Sequence, residues 1–185
     1  PSPWSTLDDL PAEVAAAEPW IRPATFRPLS LDIAALRTLL AQAPLETALN
    51  ARGNALLLEL PRPDGTLAYF KVLEAPVMEA ALQARFPQIR TYIGQGVDDP
   101  TEVVRFDLTP AGFHAQALST QGSWYIDPVS RNDTTHYASY WKRDYRSRGI
   151  FECLTPNHDG IPNEEVTPAD HGNETLTIGP TLRTY

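Results

Sequence analysis

The chain reads as an α+β domain: a mostly antiparallel β-sheet, sandwich-like, with two short helices and a flexible C-terminal linker. Three observations predict this. From residue 54 onward the apolar residues fall into short runs rich in β-branched and aromatic side chains. Gly, Asp and Pro separate those runs, and helical spacing is confined to two places. An order of arm, helix and then strands with one inserted helix is that of an α+β domain.

Residues 1–28 carry Pro3, Pro11, Pro19, Pro23 and Pro28 and read mainly as an extended arm, with a short helix within Leu7–Ala17. The first real helix follows. Ser30 is placed to cap it, Asp32 falls in its first turn, and Ile33, Leu36, Leu40 and Ala43 recur at helical spacing until Pro44. Ala55–Leu60 and Leu67–Leu73 are two apolar runs joined through Asp64-Gly65, a hairpin with a loop longer than the tight two-residue type. Pro76–Phe86 reads as a second short helix, ended by Pro87. Ile89–Ile93, Glu102–Leu108, Phe113–Ser119 and Ser123–Ile126 read as strands. In the second of these, Val104, Phe106 and Leu108 alternate with Arg105 and Asp107, as in a half-buried strand. His136–Tyr145 adds a strand or a helix-like turn dense in Tyr and Trp.

The sequence changes character beyond Tyr145. Residues 147–177 read as a linker: Thr155–Gly172 contains Pro156, Pro162 and Pro168 with Asp159, Glu164, Glu165 and Asp170, too little apolar surface to order itself. The domain proper is therefore expected over 29–146, and strand character returns near the end.

Composition narrows the function. In 185 residues the hydrophobic share is 42% and the charged share 21%, enough for a core. The formal charge of −8 argues against nucleic acid or an anionic membrane as partner, since both demand clustered Lys and Arg. No apolar run has the length of a membrane span. With one cysteine, Cys153, an internal disulfide framework is excluded.

No strong catalytic pattern is present. His114, His136, His158 and His171 do not form the His-Glu-x-x-His spacing that sets two zinc ligands and a base on one helical face. His114 and His136 lie in strands beside aromatic residues and read as structural; His158 and His171 sit in the acidic linker. Asp98-Asp99-Pro100 offers paired carboxylates, but adjacent Asp before Pro reads better as a turn. Gly94-Gln95-Gly96 also reads as a turn. Trp124, Tyr125, Tyr137, Tyr140 and Trp141 would suit either a carbohydrate platform or a core.

Seven segments, in order, carry a resemblance: Leu60–Gly65, Phe70–Met78, Phe86–Tyr92, Gly94–Pro100, Arg105–His114, Trp124–Pro128 and His136–Tyr137. Over roughly residues 20–146 the pattern resembles the N-terminal propeptide of bacterial secreted, reprolysin-like (adamalysin or metzincin type) zinc metalloproteases. Leu182–Tyr185 resembles the opening strand of the protease domain, so that 178–185 would begin that domain and 147–177 would hold the cleavage region. The resemblance implies a secreted, extracellular or periplasmic zymogen segment that is not itself an enzyme. It would keep its own catalytic domain latent and assist that domain's folding, and zinc would belong to the partner domain rather than to this chain. It implies no catalytic residue here.

Cys153 is the candidate metal ligand. A catalytic zinc keeps one position open for water, and a thiolate there would displace the nucleophile. Phe151–Leu154 is not the longer cysteine-switch sequence of animal relatives, and Phe151 and Leu154 equally suit a buried small hydrophobe. Both readings stand. A separate class of function, a stand-alone β-rich module binding carbohydrate or a cell-surface polymer, would require the Tyr/Trp set to form an exposed row.

Overall fold

Side chains that alternate between buried and exposed mark most of the sheet strands in this computed structural model, which describes residues 2–131 and 133–145. The elements in order are β1 (Trp4–Thr6), α1 (Ala12–Ala16), β2 (Arg27–Leu31), α2 (Ile33–Leu40), β3 (Leu56–Pro61) and β4 (Leu67–Glu74). They continue through α3 (Ala80–Arg85), β5 (Arg90–Gly96), β6 (Val103–Thr109), β7 (Gly112–Leu118), β8 (Trp124–Pro128) and β9 (His136–Trp141). Short 3₁₀ turns at Ala51–Asn54 and Lys142–Asp144 complete the set.

The nine strands among the described residues form one sheet in the order β1-β2-β9-β8-β7-β6-β5-β4-β3, with every neighbouring pair antiparallel. From β3 to β9 the strands follow sequence order, which is what short connections dictate. The two layers of a sandwich are here opposite walls of a single sheet curled nearly into a barrel. Ser139 on β9 donates its hydroxyl to the Pro61 carbonyl of β3 at 2.8 Å, although five strands separate them along the sheet. Arg27 on β2 closes the same seam, its guanidinium donating to the carbonyls of Arg62 and Thr66 at 3.1 Å each. Twist accumulated over many strands brings such edges together.

Side chains fill the interior. Leu58, Leu60, Phe70, Val72, Val104, Phe106, Phe113, Trp124, Ile126 and Tyr137 all point inward and are buried. Each such side chain contributes on the order of 2 kcal/mol through lost water contact. Strand β6 alternates throughout and β7 does so from Phe113 on, so Phe106 packs on Phe113 while Asp107 and His114 turn outward. Helix α2 adds Leu36 and Leu40 to the same core. Its cap is Asp32, whose Oδ1 accepts the Ala35 N–H at 2.9 Å; Ser30 lies on β2 instead.

Three differences from the sequence reading have physical causes. The proline-rich first residues are more than an arm: β1 pairs with β2, and Trp4 is buried edge-on against Phe113 and Tyr137 at 5.3 and 5.5 Å. A single large indole supplies the anchoring that periodicity normally signals. The helix read within Leu7–Ala17 forms as α1 and brings the number of short helices to three rather than two, and its Val14 joins a small outer cluster with Val129, Ala138 and Tyr140. Within Pro76–Phe86 only Ala80–Arg85 is helical, and α3 buries none of its residues. Residues 146–185, over which the linker and the protease strand are expected, lie outside the described residues.

Candidate functional site

The richest gathering of titratable groups lies on the outside of the sheet. A two-residue turn, Pro110-Ala111, joins β6 to β7 and sets Asp107 directly opposite His114. One step beyond the Ala115–Ile126 pair, β8 brings Asp127 to the other side of His114. An imidazole thus stands in a cross-strand row between two carboxylates. Its Nδ1 is 3.1 Å from Asp107 Oδ1, and its Nε2 is buried with no hydrogen-bond partner among the described residues.

The surrounding contacts fix the row in place. The Tyr140 hydroxyl donates to Asp127 Oδ2 at 2.8 Å, Tyr140 stacks on Tyr125 at 5.5 Å, and Gln116 donates to the Tyr125 hydroxyl at 3.3 Å. From the N-terminal segment, Trp20 meets His114 edge-on, with centroids 5.4 Å apart. The Trp20 backbone N–H is held by the Val129 carbonyl at 2.8 Å, and the Arg131 guanidinium lies 5.7 Å from the same indole. Beside the row is an open cleft of about 350 Å³, lined among others by Val77, Arg105, Tyr125 and all three members of the row.

The electrostatics follow from that packing. The hydrogen bond that His114 makes to Asp107 raises the pKa of His114 above the ordinary imidazole value of 6.5; burial opposes this, and the charges of Asp107 and Asp127 add to it. Burial raises Asp127 above 3.8, although Tyr140 and His114 pull the other way. Burial, then the Asp127 charge, pushes the Tyr140 phenol well above its ordinary value. Both shifts favour the protonated form of their group over its free state. The Thr91 hydroxyl in the cleft is committed to the Ala75 carbonyl at 2.7 Å. No group of three or more His, Cys, Asp or Glu side chains among the described residues is disposed to hold a metal ion.

Other sequence candidates fall into place separately. His114 is only half satisfied, through Nδ1. His136 is tied to Asp133, Nδ1 to Oδ2 at 2.8 Å, while Asp133 Oδ1 accepts the backbone N–H groups of Thr135 and His136. Asp99 makes the expected turn: its Oδ1 accepts the Thr101 N–H at 2.9 Å and hydroxyl at 2.6 Å, and the hydroxyl bond foremost lowers its pKa. Gly94 and Gly96 are not in a turn. Both lie in β5, where a Cβ on Gly94 would stand 2.8 Å from Val104 Cγ1 and one on Gly96 would stand 2.3 Å from the Asp99 carbonyl oxygen. The aromatic set divides, Trp124 and Tyr137 facing the core while Tyr125 and Tyr140 stack outside, so these five rings form no exposed row. Cys153, His158 and His171 lie outside the described residues.

Asp107 was findable from sequence, because a tight hairpin fixes the residue opposite His114. Asp127 and Trp20 reach the row through non-local packing. No family model, no curated protein and no solved structure matches this chain.

Proposed function

We propose that this chain is the propeptide domain of a secreted, reprolysin-like zinc metalloprotease, keeping that protease latent and assisting its folding. The observation that carries the reading is where the seven resembling segments fall. Leu60–Gly65 enters the β3–β4 turn, Arg105–His114 is the β6–β7 hairpin, and the others are spread along β4, β5, β8 and β9. They are the successive strands and turns of one sheet rather than scattered surface pieces. A resemblance distributed in this way is one of framework. It suits a domain whose task is to present a shaped surface to another protein.

In that role the described part is a rigid, filled sheet domain, and Cys153 belongs to the sequence that follows it. A Cys153 thiolate would complete the partner's zinc coordination, excluding the water that the metal otherwise activates. The buried-hydrophobe reading of Cys153 leaves latency to shape alone.

Inhibition in trans tests the proposal. The purified chain, added in excess to its own separately produced catalytic domain, is expected to bind it and to slow cleavage of a reporter peptide. A catalytic domain that stays fully active and shows no binding overturns latency by this chain. Refolding yield of the catalytic domain with and without the chain tests the folding role independently.

A further inference from the structure

We propose that the cleft between the loop before β3 and the outer face of β4, β5 and β6 binds a free carboxylic acid with a branched apolar body, its carboxylate held by Arg52 and Lys71. This site does not depend on the proposed function. The strand register builds its floor. Lys71 and Leu73 of β4 pair with Gln95 and Ile93 of β5, and Gln95 in turn pairs with Val103 of β6. Phe70, Val72 and Val104 point into the core, so these five side chains share the opposite face. There Leu73, Ile93 and Val103 are half-buried and make an apolar strip.

The second wall is the loop that leads from α2 to β3. Its first stem is fastened to β4: the Glu74 N–H donates to the Pro44 carbonyl and the Glu46 N–H to the Glu74 carbonyl, both at 2.9 Å. Near its other end Asn50 takes a left-handed conformation, φ 56°, and its carbonyl accepts the Gly53 and Asn54 N–H groups at 3.0 and 3.2 Å. Ala51 is buried beneath this turn. The 3₁₀ turn so fixed brings Arg52 to a cleft of about 400 Å³, which Glu46, Lys71 and the apolar strip also line. A preformed cleft with an apolar floor and a few charged groups is what small-molecule sites share.

Charge selects the ligand. Arg62 and Arg90 are paired with Glu102 and Glu74, and Arg27 is bonded to the carbonyls of Arg62 and Thr66. Arg52 and Lys71 have no carboxylate partner among the described residues. Lys71 faces Leu57 and Gln95 in its cross-strand row, and neither carries charge. Glu46 on the rim is paired with neither cation, so the cleft has an excess of positive charge in a chain whose formal charge is −8. Two like charges on one cleft repel, and a carboxylate between them turns that repulsion into charge-assisted hydrogen bonds. A bare phosphate would meet the cations but leave Leu73, Ile93 and Val103 in water; a branched hydrocarbon body covers them.

Titration of the whole chain with isocaproate at neutral pH, read through amide chemical shifts in NMR, tests this. Saturable shifts are expected at Arg52, Lys71, Ile93 and Gln95, with a Kd of about 1 mM for so small a ligand, while the Phe113 N–H in the core stays still. Isocaproamide, which lacks the charge, and acetate, which lacks the branched body, should each bind at least roughly fivefold more weakly. Arg52→Gln and Lys71→Gln, both at exposed positions, should each weaken isocaproate binding at least roughly threefold, and the same spectra report that the variants are folded. The site is overturned by the absence of saturable shifts up to about 20 mM, by isocaproamide binding as tightly as isocaproate, or by unchanged affinity in either folded variant. A peptide ending in a free Leu carboxylate that binds more tightly than isocaproate assigns the cleft to a chain terminus and overturns the free acid as its occupant.

Discussion

The indole N–H of Trp124 donates to Oε1 of Glu102 at 2.9 Å, joining the middle of the sheet to the start of β6 inside the closed wall. Glu102 is only 2% exposed, and its other oxygen is paired with Arg62 at the end of β3. Burying a carboxylate is costly unless its lone pairs are met, and here both oxygens are. Glu102→Ala leaves the Trp124 N–H without an acceptor and Arg62 without its partner, so the variant should lose about 3 kcal/mol. Glu102→Gln keeps a neutral acceptor for Trp124 and should lose less. Urea unfolding of the three proteins measures both; equal stability of Glu102→Ala and wild type would show that the network adds nothing net.

Two glycines of β5 should differ in cost when replaced by Ala. At Gly94 the new methyl meets side chains, Val104 Cγ1 at 2.8 Å and Phe70 Cβ at 3.1 Å, which can shift slightly; about 1–3 kcal/mol is expected. At Gly96 it meets the Asp99 backbone oxygen at 2.3 Å, so the turn that positions Glu102 must move. Gly96→Ala should therefore be the worse of the two, with a lower Tm and a weakened Glu102–Trp124 contact visible as a shifted indole N–H resonance. The reverse ranking would contradict the close approach.

How legible this was in the sequence depends on the range of each contact. Val104, Phe106 and Leu108 announce β6 by alternation, and the same local rule reaches most of β3 to β9. Trp4, in a strand of three residues, has no period to show. Gly94 and Gly96 look like turn residues because their reason, the nearness of Val104 and Asp99, is not local. Within the outer row Asp107 follows from the hairpin at Pro110-Ala111. Asp127 and Trp20 are placed by packing of distant segments, and nothing near them in sequence foretells it.

The turn before β9 should set part of the acid sensitivity. Burial disfavours the Asp133 charge, but the Thr135 and His136 N–H groups and the His136 side chain outweigh it and lower its pKa below 3.8. Its stabilising share is therefore present above 3.8 and lost as pH falls through the lower folded value. Asp133→Asn should cost ~1 kcal/mol at pH 7 and flatten the loss of stability below pH 4. Chemical denaturation at pH 7, 4 and 2.5 measures the slope, and an unchanged acid limb would assign it to other carboxylates.

Cys153 separates two ways of keeping a protease latent. If its thiolate completes the partner's zinc coordination, Cys153→Ser should weaken inhibition by at least roughly tenfold, since a neutral hydroxyl is a poor zinc ligand beside a thiolate. That inhibition should also weaken as pH falls, because the thiol must lose its proton to coordinate. If Cys153 is instead a small buried hydrophobe, the substitution should lower Tm and leave inhibition intact wherever the domain is folded. Measuring inhibition and Tm on the same variant across pH 6 to 8.5 resolves the two. Unchanged inhibition with a lowered Tm removes the thiolate from the mechanism, and the cleft must then be blocked by shape. Reduced inhibition at an unchanged Tm, with a deficit against wild type that shrinks toward acid, has no explanation in packing and requires the metal.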